Sequence, residues 1–124
     1  MAGPLKSFAA FWPYYVGQHQ SPVCRGLHYL GSTLALLNVA GLVATGQPAF
    51  VLAALVSGYG PAWVGHFFVE HNRPATFTYP RWSLMGDFKM YGLFLTGRMG
   101  AEVERLRAGG FGTAAAHSPH TSKT

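Results

Sequence analysis

Four histidines frame one stretch of this chain. His28 and His66 stand at equal sequence distance on either side of Gln47, with His19 shortly before the first and His71 shortly after the second. Neutral imidazole is a ligand for Fe, Zn, Cu and Ni, so four imidazoles brought to one depth would form a transition-metal site. The alternative is that each is a separate polar residue at a water boundary. Residues 26–69 contain no Asp, Glu, Lys or Arg over 44 positions. An ionisable group inside such a run is costly in hydrocarbon and by default marks a functional site.

The same run dictates what must position the histidines. Its one polar break, Thr45-Gly46-Gln47-Pro48, divides it into residues 26–45 and 49–69. As a helix, each half reaches the roughly 20 residues needed to cross a bilayer. The break is long enough only for a turn. The expected fold class is all-α: a membrane helical hairpin of two spanning helices with flanking interfacial amphipathic helices. Turning at Gln47, it sets His28 and His66 at one depth near its open end, with His19 and His71 at the same mouth.

Composition supports a membrane class. Only 10% of the 124 residues are charged and 15% are aromatic, with nine Lys and Arg against four Asp and Glu. The cations all flank the hairpin on its open side, so the positive-inside rule turns the histidine mouth to the cytoplasm. They can also hold anionic lipid head groups. No basic face interleaved with exposed aromatics marks a nucleic-acid surface. Cys24, the single cysteine, excludes a disulfide framework and a thiolate cluster, and reads as a small apolar filler. The N-terminus, broken by Pro13, does not read as a signal peptide. Residues 1–107 form one domain, and 108–124, rich in Gly, Ala, Ser and Thr, are expected to be a disordered tail. His117 and His120 fall there and are left out of the site.

Phe8, Phe11, Trp12 and Tyr15 predict a short interfacial helix interrupted near Pro13. Ser21-Pro22 starts the first spanning helix and Gly46 ends it. His28, Ser32, Ala35 and Val39 share a face, with Gly31 beside them to admit a close neighbour. In the second helix, Gly58, Gly60 and Pro61 predict a kink or unwinding. That irregularity would serve either a cavity near His66 or plain helix packing. Glu70, four residues after His66, has three readings: a metal ligand, a partner fixing the His66 tautomer, or a salt-bridge partner of Arg25 or Arg73. Asn72-Arg73-Pro74 ends the helix, and residues 75–82 read as an extended aromatic loop. Residues 83–99 form an amphipathic helix in the interface, with Leu84, Phe88, Tyr91 and Leu95 as its apolar face. As a third crossing it would have to carry Asp87 and Lys89. Asp87 either orients a ligand histidine or caps and pairs within its own helix.

Several runs resemble the Mpo1-like family of small membrane proteins, formerly a domain of unknown function. They are His19-x-x-Pro22 with Arg25-x-x-His28, Gly65-His66-Phe67-Phe68-x-Glu70, Asn72-Arg73-Pro74-Ala75-Thr76-Phe77, and Tyr79-Pro80-x-Trp82-Ser83-Leu84-x-Gly86-Asp87-Phe88. The resemblance covers roughly residues 5–99. That family includes the fungal 2-hydroxy fatty acid dioxygenase of phytosphingosine breakdown. The resemblance implies an Fe(II)-dependent dioxygenase of fatty-acid α-oxidation. Such an enzyme converts a 2-hydroxy fatty acid and O2 to the acid one carbon shorter. His19, His28 and His66 match the family's histidine positions. The fungal pattern has a fourth, for which His71 is the nearest candidate. The chain is shorter than the fungal enzyme and of bacterial type, which implies the bacterial inner membrane. Arg25 or Arg73 would pair with the substrate carboxylate, for which forked donors are suited.

Two other functions fit the pattern. A haem-bearing electron carrier would use His28 and His66 as axial ligands, leaving His19 and His71 without a task. A non-catalytic membrane lipid-binding protein would only line a polar mouth with its histidines. A two-helix core is thin, and a homodimer is compatible with it.

Overall fold

The computed structural model describes residues 5–111, and every regular element among them is helical. Helix α1 spans Phe8–Gly17, and Ser7 caps it by accepting the Ala10 amide at 3.1 Å. It runs through Pro13 without the expected interruption. Buried Phe11 and Trp12 precede the proline and buried Tyr15 and Val16 come after it. Packing on both sides offsets the one backbone bond that a proline removes.

Helix α2 spans Pro22–Thr45 with the predicted ends. Ser21 accepts the Val23 amide, and Gly46 closes the helix in a left-handed conformation (φ 69°) with its N–H on Leu42 O. Helix α3, Ala49–Val64, passes through Pro61 and runs on as a π-helical turn, Gly65–Glu70. The irregularity expected at Gly58–Pro61 therefore lies one turn later. Pro61 has no N–H to offer the Ser57 carbonyl. That oxygen instead lies against α2 at Gly31.

Helices α2 and α3 form the hairpin. Segments Pro22–Thr45 and Ala49–Glu70 are both long and apolar enough to cross a membrane. Only 11% and 17% of their apolar windows are covered by the rest of the protein, which separates them from the core helices of a soluble domain. Val43 and Leu52 are 82% and 66% exposed. The two helices touch at glycine. A Cβ on Gly31 would stand 2.5 Å from Gly58 O, and one on Gly58 would stand 3.3 Å from Ala35 Cβ. The Asn38 amide adds a 3.1 Å hydrogen bond to Ser57 Oγ. Near the turn, the Phe50 ring fills the space left by Gly41.

The open end carries a cap. A 3-10 turn, Ala75–Phe77, occupies part of the expected loop, and helix α4 begins at Pro80 rather than Ser83, running to Leu95. At 16 residues α4 is too short to be a third crossing. Its Leu84, Phe88 and Leu95 are exposed, as an apolar face against lipid requires, and Ser83, Gly86 and Met90 face inward. Gly97 (φ 72°) turns the chain into helix α5, Met99–Ala108. Phe11, Tyr15, Val16, Met90, Val103 and Phe111 are among the residues of the buried core that joins α1, α4 and α5. Trp12 ties the three together: its Nε1 donates to Glu102 at 2.7 Å, and Lys89 Nζ sits 4.4 Å from its ring. The order thus reaches Phe111, and the rest of the expected tail, 112–124, lies outside the described residues.

The Gly31 contact is with backbone, which cannot move aside as a side chain can. Gly31→Ala should therefore destabilise the hairpin by about 1–3 kcal/mol. Gly26→Ala, with nothing within 4 Å of the new methyl, should be neutral or stabilising. Thermal unfolding of both variants in one detergent checks the pair.

Candidate metal centre

Three elements deliver one imidazole each to the space between hairpin and cap. His19 comes just after the end of α1, His28 lies two turns into α2, and His66 opens the π-helical turn. All three are buried. One ligating nitrogen from each lies within 4.8 Å of the other two. The rings meet edge to face, with centroids 4.3 Å (His19–His28), 4.5 Å (His19–His66) and 5.0 Å (His28–His66) apart.

The hydrogen bonds assign the tautomers. His19 Nδ1 lies 2.6 Å from the Tyr15 carbonyl, which only accepts, so this nitrogen carries the proton. His66 Nδ1 lies 2.7 Å from Asn72 Oδ1, and Asn72 Nδ2 is already donating to Gln18 O at 3.1 Å. His66 must therefore donate as well. His28 Nδ1 faces Asp87 Oδ1 at 3.6 Å, where a lone pair would oppose a carboxylate. His19 and His66 thus direct Nδ1–H at an acceptor and keep a lone pair on Nε2, and the Asp87 carboxylate favours the same tautomer of His28. His28 Nε2 and His66 Nε2 stand 3.2 Å apart. His19 Nε2 is buried without a hydrogen-bond partner among the described residues. Buried acceptors that face one another without a donor are unfavourable until a cation joins them. Imidazoles held at Nδ1 and open at Nε2 are the arrangement that suits a metal.

Charge agrees with this. Burial, and after it the neighbouring His28 and His66, hold the His19 imidazole well below its ordinary pKa. It is therefore neutral, the form that ligates. Tyr15 stacks on His19 with centroids 4.1 Å apart, and its hydroxyl donates to Asp87 Oδ1. Burial and the Asp87 charge raise the Tyr15 pKa well above normal, so the phenol keeps its proton and remains a donor.

The remaining expected site residues stand elsewhere. His71 is exposed and adopts a left-handed conformation (φ 58°) that closes the π-helical turn. Glu70 is buried and accepts the Ser21 amide, tying the end of α3 to the start of α2. Neither joins the three-histidine group. Arg25 Nη1 donates to the carbonyls of His19 and Gln20 at 2.7 and 2.8 Å, and the Arg73 guanidinium lies 5.1 Å from the Phe77 ring centroid. Asp87 faces His28 Nδ1 at 3.6 Å, a position compatible with the first of its two readings. Sequence reasoning missed Asn72 and Tyr15. A signal for Asn72 existed, an amide close after a histidine at a helix end. Tyr15 orients His19 through its backbone carbonyl, which no side-chain pattern reveals.

A cavity of about 210 Å³ opens beside His28 between α2, α3 and α4. His28 and Asp87 stand at its polar end, and Ala35, Leu55, Gly58 and Phe88 are among its apolar walls. Gly58 thus serves both of its expected purposes, close packing and a cavity wall. A haem held between His28 and His66 would require their Nε2 atoms, 3.2 Å apart, to separate.

The model of the family described as 2-hydroxy-palmitic acid dioxygenase Mpo1-like matches residues 5–99. The chain belongs to the Mpo1-like family. No curated protein and no solved structure matches it. In this Mpo1-like chain, the matched region takes in all three converging histidines together with Asn72, Asp87 and Tyr15.

Two substitutions separate ligation from support. Asn72→Ala should lower metal affinity about 10–100-fold by releasing the His66 ring. His71→Gly should retain both metal and thermal stability, since glycine adopts the left-handed conformation without strain. Equilibrium metal titration and unfolding of the two variants read these outcomes.

Proposed function

We propose that this protein is an Fe(II)-dependent dioxygenase that shortens a 2-hydroxy fatty acid by one carbon at the membrane surface. The observation that carries the reading is the convergence of the His28 and His66 Nε2 atoms beside the orphaned His19 Nε2. Family membership supplies the reaction class. An all-imidazole donor set fits iron, and iron bound by three protein ligands supplies O2 activation and keeps positions open for substrate. The overall change balances without an added reductant. Oxidation of the hydroxyl-bearing and carboxyl carbons, to a new carboxylic acid and carbon dioxide, matches reduction of O2 to the level of water.

The chain's own residues do the rest. Tyr15 O, Asn72 and Asp87 fix the imidazoles with Nε2 inward. The cavity receives the first part of the acyl chain, its polar end against His28 and Asp87. At about 210 Å³ it is smaller than the roughly 300–1,000 Å³ that encloses a whole small-molecule ligand. The distal acyl chain therefore extends past exposed Leu84 and Phe88 into lipid. The surrounding Lys and Arg residues keep this mouth on the cytoplasmic side and draw an anionic substrate toward it.

Protein purified in detergent without oxygen should hold about one iron per chain, and His28→Ala and His66→Ala should each abolish it. Wild type should consume O2 with 2-hydroxypalmitate and release pentadecanoate. Iron-loaded wild type that leaves 2-hydroxypalmitate unchanged would sink this reading, and a Soret band would replace it with haem.

A further inference from the structure

We propose that Asp87 selects the substrate by accepting a hydrogen bond from its 2-hydroxyl group. This rests on the reading of the cavity as the fatty-acid site. Asp87 lines the polar end of that cavity, and its side chain is 20% exposed. Its two contacts, from the Tyr15 hydroxyl and from His28 Nδ1, both fall on Oδ1. Oδ2 takes part in neither.

The other polar side chains of the cavity are His28, Ser32 and Tyr59. His28 turns its Nε2 to His66, and the hydroxyls of Ser32 and Tyr59 have protons of their own to donate. They can satisfy the carboxylate that every fatty acid carries. Asp87 is different, because an ionised carboxylate only accepts. A C2 hydroxyl gives it a donor. An unsubstituted acid gives it none and leaves the second carboxylate oxygen covered by the ligand without a donor, which is disfavoured. Selection by Asp87 therefore works in both directions, favouring the 2-hydroxy acid and penalising the plain one. Tyr15 and His28 both approach Oδ1, and so leave the second oxygen for the ligand.

The test is equilibrium binding to anaerobic, iron-loaded, full-length protein in detergent, comparing 2-hydroxypalmitate, palmitate and 2-fluoropalmitate. Wild type should bind the 2-hydroxy acid about tenfold or more tightly than either analogue, since 2-fluoropalmitate has a polar C2 substituent but no proton to donate. Asp87→Asn can still accept from Tyr15, but it turns an amide N–H2 toward the ligand and should bring the ratio of the three affinities close to one. Tyr15→Phe leaves Oδ2 intact and should keep the wild-type ratio. Equal affinity of wild type for 2-hydroxy- and 2-fluoropalmitate would overturn the proposal, and this holds even if neither variant folds. An unchanged ratio in Asp87→Asn, or a ratio lost equally in Tyr15→Phe, would also overturn it. Wild type that binds none of the three acids would remove the fatty-acid reading itself, an outcome distinct from the others.

Discussion

The bare Cα of Gly31 lies against the Gly58 carbonyl, and every distance at the mouth of the hairpin depends on that contact. Two uncharged helices in lipid gain little from hydrophobic association, because the tails around them are as apolar as their own side chains. What holds them is closeness. At a glycine crossing the backbones approach far enough for dispersion and for the single Asn38–Ser57 hydrogen bond. A second close approach lies nearer the mouth, where a Cβ on Gly65 would stand 2.9 Å from Cys24 Sγ. Cys24, read from sequence as a small apolar filler, is what seats the π-helical turn. His28 and His66 lie within a few residues of these two contacts, and their nitrogens inherit the short spacing.

The cap matters for a different reason. The acceptors that orient the imidazoles come from α1, from α4 and from the segment after α3, so no one element builds the centre alone. Turning the Nδ1 atoms toward acceptors at the periphery, two of them hydrogen-bonded and the third facing Asp87, concentrates Nε2 lone pairs in the middle. Buried polar networks left incomplete are costly, and this one is incomplete in a single direction. The aromatic core under α1, with Trp12 fixed by Glu102 and Lys89, holds the arrangement against that cost.

Much of this was legible in residue order. The Ser21-Pro22 start and the Gly46 stop set the bounds of α2, and equal spacing about Gln47 placed His28 opposite His66. Other features depend on contacts distant in sequence. The π-helical turn has no local signature, since nothing in Gly65–Glu70 disfavours an ordinary α-helix. Its two ends are instead fixed by partners at the start of α2, Gly65 against Cys24 and Glu70 on the Ser21 amide. His71 resembles His19 in sequence, yet its left-handed backbone turns it to the surface. Arg25 is a plausible carboxylate clamp until the carbonyls of His19 and Gln20 are found in its reach. Prolines misled in both helices for one reason: a missing N–H breaks a helix only where packing cannot hold it.

The π-helical turn also has a genetic meaning. Such a turn holds one residue more than an α-helix of the same pitch would accommodate. Deleting a single codon between His66 and Asn72 removes that extra residue, restores α-helical geometry and shortens the link between the two from six residues to five. The histidine and the asparagine that steadies it would then part company, while the apolar length of the hairpin would hardly change. The apolar hairpin and the three-histidine centre are thus separable by the smallest in-frame deletion, which would keep the two long helices and lose the centre.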